Sequence, residues 1–503
     1  MFRHIVTFHG PSPFALDPVV VAGIDLPPEE SGEAAFFRQG CRCFHDAYPD
    51  WFSGQRSSDL PFAEYIAATL AQWAMGALNE VRGYIRESGY SEVPGGALLW
   101  VGFHEPQVSV IALDLAWNLL ESVSMTGVFP RSSADEGLDS LWHHCSMHHP
   151  DYQARILMEG AFSKGVPVMP FIPGTKYWQF GWGSRSRIFF ESMSNDDGSL
   201  GYQLQKSKPI GKEVFKALGF PSPAGEIVSR PEELAGAAKR IGWPCVVKPL
   251  ESGGGRGVVA GIRNEKELTE AFAFAKKFTD GPVMVEKFVE GNDHRLMVIG
   301  GKFFAAIRRE PSSVTGDGKS TIRQLVDGLN RFRSHNIVKS RYLRPVSLDD
   351  VLERFLISQG LDFDTVPEEG RRVYLRSNSN LSTGGICIDV SGSVHPDVKR
   401  MAESVAITMG LGTAGIDFIT TDIGKSFHEC GALIESNTTP GLDAMIAAGQ
   451  NTAEVACAVL GSKPGRIPFH LIVVEESGLE DAWVYLKSMK FREGAGLVCG
   501  QRA

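Results

Sequence analysis

A glycine-rich loop between two apolar runs carries the residue types that best suit phosphate binding. The run 245–250 contains Lys248, and the β-rich run 258–262 follows the loop. The loop consists mostly of small residues, namely Ser252, Gly253, Gly254, Gly255 and Gly257. Because glycine tolerates positive φ and close approach, such a loop can bring backbone N–H groups against a phosphate. The pattern predicts a hairpin that closes over the phosphates of a nucleotide.

Two common nucleotide-binding motifs do not fit this loop. A P-loop has Gly-x-x-x-x-Gly-Lys-Ser/Thr at the start of a helix, and no Lys-Ser/Thr pair follows the glycines here. A Rossmann loop also opens a helix, whereas Val258 begins a β-rich run. A glycine loop between two strands therefore indicates a flexible lid.

Two acids and an amide on neighbouring predicted strands form a second candidate site. Glu435 and Asn437 are two residues apart in the run 431–437, so their side chains share one face of a strand. Asp417 lies in the strand-like run 414–420. Carboxylate and amide oxygens suit Mg²⁺ that is also held by substrate phosphates. The alternative is that each acid is a paired structural charge, but the nearby phosphate loop favours the metal.

The composition is that of an ordinary globular protein, with 43% hydrophobic and 22% charged residues. A length of 503 residues predicts two or more domains, and a net charge of -9 argues against a nucleic-acid partner. The eight cysteines are scattered and no secretory segment opens the chain, so we expect reduced thiols and a cytoplasmic location. No membrane association is expected, because the best apolar run, 108–120, contains Asp114.

Strand-like and helix-like patterns alternate along the chain and predict an α/β (α+β) fold that positions these groups. Apolar residues at helical spacing predict helices over 62–88, 108–123, 152–164, 208–218, 265–278 and 396–409. Strands are predicted over 97–103, 282–288, 295–300, 302–308, 386–390, 414–420 and 431–437. Residues 310–371 are polar and helix-rich, which indicates an insertion. Its basic residues could bind an acidic substrate or face solvent, and we expect solvent.

The order of these motifs resembles that of the ATP-grasp superfamily of carboxylate–amine ligases. Lys208 and Lys248 precede the glycine loop, and the later motifs are Glu-Lys-Phe-Val at 286–289, Asp293, Asp417 and Glu435-x-Asn437. Longer motifs are similar to the N-terminal and ATP-grasp part of cyanophycin synthetase, among them residues 293–298, 308–311, 375–385 and 435–441. The resemblance implies an ATP-grasp fold with an additional N-terminal α/β domain.

The resemblance also implies which residues bind ATP and Mg²⁺. Lys208, Lys248 and the glycine loop would hold the ATP phosphates. Adenine would be read, largely through backbone groups, by Glu286, Lys287 and Val289, and Asp293 would accept from the ribose hydroxyls. The Mg²⁺ ligands would be Asp417, Glu435 and Asn437.

Catalytic and substrate residues follow from the same resemblance. Arg309, with Arg308 beside it, would neutralise the transferred phosphoryl group, since Gly415 stands where the superfamily often has an arginine. His294 matches an acid–base position, and the alternative is a hydrogen-bonded structural histidine. The substrate side would be lined by Arg376, Ser377, Asn380, Ser382 and Thr383.

These roles imply an ATP-dependent ligase that joins an amino-acid or peptide carboxylate to an amino-acid amine through an acyl phosphate, giving ADP and phosphate. Cyanophycin synthetase also has a half that resembles a Mur ligase and carries its own P-loop. Residues 465–474 resemble the strand leading to that P-loop, but Glu475-Glu-Ser-Gly follows instead. We therefore expect a ligase that does not polymerise on its own. The alternatives are a ligase similar to glutathione synthetase, prompted by residues 378–385, and a non-catalytic ATP-binding regulator.

The resemblance divides the chain into an N-terminal α/β domain (1–165), an ATP-grasp domain (166–455) and a tail left from a second domain (456–503). Within the ATP-grasp domain, a lid lobe is expected over about 245–308 and the insertion over about 310–371. The resemblance also suggests a homodimer or homotetramer. Residues 142–149 contain histidines and a cysteine, but adjacent histidines rarely face one ion, so a polar loop or helix end is expected.

Overall fold

The computed structural model describes residues 2–52, 60–80, 83–251, 255–335, 344–376 and 378–461, with the single residues 465 and 484. Met1–Gly465 forms one compact unit and Arg466–Ala503 a second, of which only Val484 is described. The predicted tail 456–503 therefore lies mostly outside the described residues. The same holds for these predicted site residues: Ser252, Gly253, Gly254, Ser377 and the side chain of Ser382.

The N-terminal region is an antiparallel sheet with helices packed on it. Its strands are β1 (Phe2–Phe8), β2 (Val19–Asp25), β3 (Ser88–Val93) and β4 (Gly96–Gly102), in the order β1-β2-β4-β3. Its helices are α1 (Gly32–Ala47), α2 (Phe62–Glu80), α3 (Pro106–Thr126) and α4 (Arg131–His148). Trp73 of α2, Leu99 of β4 and Leu120 of α3 are fully buried in one shared core. This confirms the predicted N-terminal α/β region.

Helix α3 is, within the described ranges, the one helix that is long and apolar enough to cross a membrane by length and composition alone. It has 21 residues, and half of its apolar window is buried inside the protein. Val108, Leu113 and Leu120 pack into the N-terminal core, as expected for the inner face of a core helix.

The histidine-rich segment 142–149 is helical rather than a loop. Most of it belongs to α4, whose Ala134, Leu141 and Cys145 recur at helical spacing and are buried against the core. His143 Nδ1 lies 2.9 Å from the carbonyl oxygen of Asp139 one turn earlier. The segment is therefore the end of an amphipathic helix.

Three further helices and a short sheet lead to the nucleotide lobe. The helices are α5 (Tyr152–Ser163), α6 (Ser199–Lys206) and α7 (Lys208–Ala217), and the sheet runs in the order β5 (Val168–Pro170), β6 (Tyr177–Phe180), β7 (Arg187–Phe190) and β8 (Met193–Ser194). The lobe itself is a sheet of β9 (Gly225–Val228), β10 (Cys245–Pro249), β11 (Val259–Ile262) and β12 (Val283–Lys287), ordered β11-β10-β12-β9. Helices α8 (Leu234–Ile241) and α9 (Glu265–Ala275) complete it.

The insertion has its own small core. It contains a pair of strands, β15 (Ser313–Thr315) and β16 (Arg372–Tyr374), and two helices, α10 (Ile322–His335) and α11 (Asp350–Ser358). Ile322, Val326, Leu352 and Leu356 are fully buried together. The helices thus present one apolar stripe to each other.

A central five-stranded antiparallel sheet carries the predicted catalytic and Mg²⁺-binding residues. Its order is β17 (Ile386–Asp389), β14 (Lys302–Glu310), β13 (Asn292–Ile299), β18 (Thr413–Thr420) and β19 (Ala432–Asn437). Helices α12 (Pro396–Met409), α13 (Asp443–Ala447) and α14 (Thr452–Leu460) accompany it. The predicted lid lobe, 245–308, thus contributes strands to two different sheets. Helix α14 crosses the predicted boundary at 455/456, and its Val455 and Val459 share a core with Leu157 of α5.

Alternation along the strands gives the central sheet two different faces. Leu296, Val298 and Phe418 point to one face and pack against α12. On the other face, Met297 and Ile307 pack against α5 and α14 at one end of the strands. The other end of that second face is polar, and we call it the charged face; its residues are Asp293, Arg295, Arg309, Asp417, Glu435 and Asn437.

A two-residue turn joins β13 to β14 and sets their register. Gly300 and Gly301 have φ values of 57° and 74°, which only glycine adopts without strain, and Ile299 pairs with Lys302 across them. From this turn the pairing runs, through one bulge after Met297, to Asp293 opposite Arg309.

Candidate active site

Two arginines converge on Asp417 at the charged face. Arg295 lies directly across from Asp417 in the β13–β18 pairing, and its Nε donates to Asp417 Oδ1 over 2.5 Å. Arg309 Nη2 lies 3.2 Å from the same oxygen, and all three side chains are mostly buried. Although burial alone raises the pKa of Asp417, Arg295 and Arg309 hold that pKa below its usual value. Asp417 is therefore an ionised carboxylate between two guanidinium groups.

Asp293 extends this cluster to the neighbouring loop. Its Oδ1 accepts from Arg309 Nη2 over 2.7 Å, and its Oδ2 accepts from Ser379 Oγ over 2.8 Å. The carboxylate that was predicted to meet ribose thus fastens the polar loop 378–385 to the charged face.

Gly415 makes room for Arg295. A Cβ at residue 415 would meet Arg295 Cδ and Nη1 at 2.8 Å and Pro440 Cβ at 2.7 Å. A guanidinium group from the adjacent strand thus occupies the space beside Gly415, two residues before Asp417. Sequence reasoning assigned neutralisation of the phosphoryl group to Arg308 and Arg309 and missed Arg295, whose cross-strand position requires the sheet register.

We expect Gly415→Ala to lower the kcat of the ATP-dependent ligation that the family resemblance implies by about tenfold or more, because the new methyl group displaces Arg295. Gly392→Ala is the matched control, since a Cβ there meets nothing within 4 Å. Steady-state kinetics at saturating ATP measure the effect. Equal rates in the two variants would show that Arg295 does not need this space.

A second charged cluster lies where α7 meets the nucleotide lobe. Lys248 Nζ donates to Glu286 Oε1 over 2.6 Å, and Lys212 Nζ lies 2.7 Å from Glu286 Oε2. Burial alone raises the pKa of Glu286, but Lys248 and Lys212 together hold it below its usual value. Lys212 was not predicted, although it lies one helical turn after Lys208 and so shares its helix face.

Lys208 links the two clusters. Its Nζ donates to the carbonyl oxygen of Leu250 over 3.0 Å, at the start of the glycine loop. Burial lowers the pKa of Lys208, against the opposing field of Glu435 from the charged face. Lys208 is thus within the electrostatic influence of both Lys248 and Glu435.

The structure describes part of the glycine loop. Strands β10 and β11 on its two sides pair antiparallel, in line with the predicted hairpin. Gly255 and Gly257 have φ values of 71° and 74°, and a Cβ at residue 255 would lie 3.0 Å from Asn380 Nδ2. The loop thus approaches the polar loop 378–385, where Thr383 Oγ1 donates to Asn378 Oδ1 over 2.5 Å.

The predicted Mg²⁺ ligands lie together on the charged face. Asp417 and Glu435 are directly opposite each other on β18 and β19, and Asn437 is next along the same face. Within the described ranges, the carboxylate of Glu435 makes no hydrogen bond or ion pair. In the same ranges, no three His, Cys, Asp or Glu residues are grouped to hold a metal alone. Two carboxylates and an amide oxygen suit Mg²⁺ only when phosphate oxygens complete its shell.

Two predicted catalytic residues lie on the opposite face of the central sheet. His294 pairs with Arg308 across β13 and β14, and neighbours in a strand point to opposite faces. His294 is 2% exposed, and burial lowers its pKa. Arg308 Nη2 binds Glu310 Oε1 at 2.9 Å. The structure brings Arg309 to the charged face and places His294 and Arg308 away from it.

The segment predicted to read adenine lies at the C-terminal end of β12, an interior strand of the nucleotide lobe. The backbone N–H groups of Lys287 and Phe288 donate to the carbonyl oxygens of Ala224 and Pro244, over 2.8 and 3.1 Å. Lys287 Nζ donates to the carbonyl oxygen of Trp243 over 2.6 Å. The backbone of Val289 makes no hydrogen bond with the other described residues.

Arg376 is engaged inside the insertion rather than at the charged face. Its Nη1 and Nη2 each donate to the Asp349 carboxylate over 2.8 Å, and Asp349 also caps α11 by accepting from the N–H of Leu352. The side chain of Arg376 is 7% exposed. This bidentate pair corrects the predicted substrate contact, because the guanidinium already has structural partners.

We expect Arg376→Met to lower the free energy of unfolding by about 2 kcal/mol, through loss of charged hydrogen bonds. Urea denaturation measures this change, with Arg354→Met as the control because Arg354 is exposed and bonds only the carbonyl oxygen of Asp350 in the described ranges. A raised substrate KM with unchanged stability would instead support the substrate role.

The chain is similar to known proteins in three comparisons. The family model described as the ATP-grasp domain matches residues 213–299. The cyanophycin synthetase of Synechocystis sp. is 35% identical over 366 residues, which are 70% of this chain and 41% of that protein. The glutathione biosynthesis bifunctional protein GshAB of Streptococcus mutans is 32% identical over 262 residues, 50% of this chain and 34% of that protein. A solved bifunctional glutathione synthetase from Pasteurella multocida aligns with a TM-score of 0.44 and 21% identity, over 66% of this chain and 49% of that one.

Residues 213–299 of this chain match the ATP-grasp domain, a family whose enzymes use ATP and Mg²⁺. The chain is related to the cyanophycin synthetases, which are acid–amino-acid ligases, over about 70% of its own length. The chain spans about two fifths of the length of these relatives, 41% in the case of Geminocystis herdmanii. The predicted fold class and family are thereby confirmed.

Proposed function

We propose that this chain is an ATP-dependent ligase that joins an amino-acid or peptide carboxylate to an amino-acid amine. The observation that carries the proposal is the convergence of Arg295 and Arg309 on Asp417, directly opposite Glu435 on the neighbouring strand. Such an arrangement provides fixed positive charge where a phosphoryl group would be transferred. Lys208 and Lys248 provide further positive charge on the nucleotide side.

The proposed reaction has two steps. A carboxylate oxygen of the acid attacks the γ-phosphorus of ATP, the bond to the β-phosphate oxygen breaks, and ADP leaves. The amine then attacks the carbonyl carbon of the acyl phosphate, inorganic phosphate leaves, and the amine proton passes to solvent. The acyl phosphate must be shielded from water between these steps, and we propose that the glycine loop provides that cover.

Each cluster has one task in this scheme. Lys208 and Lys248 bind the phosphates, while Arg309 and Arg295 neutralise the charge of the transferred group. Mg²⁺ held by Asp417, Glu435 and Asn437 would supply further neutralisation of phosphate charge. The loop 378–385, fastened to Asp293 by Ser379, would line the substrate side through Asn380 and Thr383.

We also propose that each cycle makes one amide bond and that the chain does not polymerise on its own. The test is a panel of amino acids and short peptides, including aspartate and aspartate-containing primers, with ADP release and product mass as readouts. We expect ADP release to require both an acid and an amine, with product mass raised by one residue. ATP binding without turnover over the whole panel would favour a regulator, and products longer by several residues would refute the single addition.

A second candidate function is a glutathione-synthetase-like ligase. The observation that favours it is the 32% identity to GshAB over half of this chain. The panel therefore includes γ-glutamylcysteine with glycine. Turnover of that pair at a rate above all others would select this candidate.

We further propose a cytoplasmic homodimer or homotetramer. All seven cysteines in the described residues are free thiols, which suits a reducing compartment. Light scattering of the purified protein measures the oligomeric state, and a monomer at micromolar concentration would contradict the proposal.

A further inference from the structure

A buried triad joins α7 to the nucleotide lobe through one carboxylate and two ammonium groups. The side chains of Glu286, Lys248 and Lys212 are 5%, 6% and 10% exposed. Each oxygen of Glu286 faces one lysine, Lys248 at 2.6 Å and Lys212 at 2.7 Å. Two positive groups and one negative group leave the triad with one unit of positive charge, although it is almost closed to water.

Lys212 is held in place by a further contact that does not involve Glu286. Its Nζ also donates to the carbonyl oxygen of Pro223 over 2.7 Å, just before β9. Burial lowers the pKa of Lys212, and the nearby Glu286 opposes that effect. Lys248, by contrast, lies on β10 one residue before Pro249, at the base of the glycine loop. The two lysines therefore differ: one bridges fixed parts of the fold, and the other stands next to the proposed phosphates.

This difference matters when Lys248 turns towards a phosphate. Without a second cation, the departure of Lys248 would leave the Glu286 carboxylate buried and unpaired, which is strongly unfavourable. With Lys212 at its other oxygen, Glu286 remains neutralised. The positive charge of Lys248 is then available to a bound phosphate.

We propose that Lys212 is a positioning residue for ATP, which keeps Glu286 neutralised so that the ammonium group of Lys248 can bind a phosphate. This inference rests on the proposed contact between Lys248 and the ATP phosphates. Lys212 itself acts through Glu286 and Lys248.

The test is the affinity of the full chain for ATP with Mg²⁺, measured by calorimetric titration without acid or amine substrates. We expect Lys212→Met to weaken binding by about tenfold or more, because Glu286 then retains Lys248. Lys216→Met is the matched control: Lys216 lies one turn further along α7, is 78% exposed and pairs only loosely with Glu213 at 3.8 Å. Its affinity should stay within about twofold of the parent chain.

A double variant separates charge neutralisation from simple packing. In a Glu286→Gln background there is no carboxylate to neutralise, so adding Lys212→Met should change ATP affinity by less than about twofold. This comparison also holds if Lys212→Met alone fails to fold. Lys212→Arg, which keeps the charge, should recover most of the affinity lost in Lys212→Met.

Unchanged ATP affinity in folded Lys212→Met would overturn the inference, as would a full tenfold loss on adding it to Glu286→Gln. Because the titration needs no turnover, absence of amide formation in the substrate panel would refute the ligase and leave the Lys212 test intact. Failure of the parent chain to bind ATP would refute both.

Discussion

Changing Arg309 to methionine is expected to lower kcat by about a hundredfold or more, because it removes a fixed positive charge from the proposed site of phosphoryl transfer. Arg309 contacts both Asp293, at 2.7 Å, and Asp417, at 3.2 Å. Its loss leaves two mostly buried carboxylates short of a partner, so we also expect the free energy of unfolding to fall by about 3 kcal/mol. Kinetics below the unfolding temperature, with circular dichroism on the same sample, separate the two effects.

The adjacent Arg308 is the natural control for this change. It points to the opposite face of β14 and pairs with Glu310, which keeps Arg372 at 2.7 Å when Arg308 is removed. Arg308→Met should therefore retain kcat within about twofold. Equal losses in the two variants, or a larger loss in Arg308→Met, would contradict the placement of the reaction on the charged face.

Changing Glu435 to glutamine is expected to abolish measurable turnover, with kcat at least about a hundredfold lower, while the stability stays unchanged. The substitution keeps the size of the side chain but removes the negative charge proposed to hold Mg²⁺ opposite Asp417. The carboxylate of Glu435 makes no hydrogen bond or ion pair within the described ranges and acts on Lys208 only through its field, so we expect little loss of stability. ADP release with the best substrate pair measures the effect.

Two further measurements serve as controls for the expected effect of Glu435→Gln. Glu429→Gln changes an exposed acid in the loop before β19 and should leave turnover unaltered. Raising the Mg²⁺ concentration should recover part of the rate of Glu435→Gln if weakened metal binding is the cause. Near-normal rates in Glu435→Gln would refute the metal assignment.

Most elements of the fold follow from local patterns in the sequence. The periodicity of 396–409 predicts α12, and the apolar runs at 414–420 and 431–437 predict β18 and β19 to within one residue. These segments are long or strongly patterned, so the local residue pattern determines whether they form a helix or a strand. The short strands β5 to β8 were not predicted, because two to four residues carry too little periodicity.

Which residues of different strands share a face depends on how the strands pair, and no local sequence pattern contains that pairing. Asp417, Glu435 and Asn437 could be grouped, because the spacing of Glu435 and Asn437 already places them on one side. Arg295 could not, since its approach to Asp417 requires knowing that β13 pairs with β18 and in which register. The same reason explains why His294 and Arg308 were wrongly grouped with the charged face. They are next in sequence to Asp293 and Arg309, but they lie on the other side of the sheet.

Some missed residues left a signal that a stricter analysis could use. Lys208, Lys212 and Lys216 recur every four residues on one helix, so at least two must share a face near the predicted phosphates. The tie between Ser379 and Asp293 spans 86 residues and had no such signal. Long-range contacts of this kind are set by packing of the whole domain.

The two-glycine turn at Gly300 and Gly301 gives the charged face an unexpected dependence on a remote point of the chain. The turn lies about 20 Å along β13 from Asp293, at the usual rise per strand residue. One inserted residue there, if passed along the hairpin, would turn the side chains of one strand over and bring Arg308 where Arg309 belongs. The chemistry of the charged face is thus encoded partly as a count of residues, in a turn that contains no side chain at all.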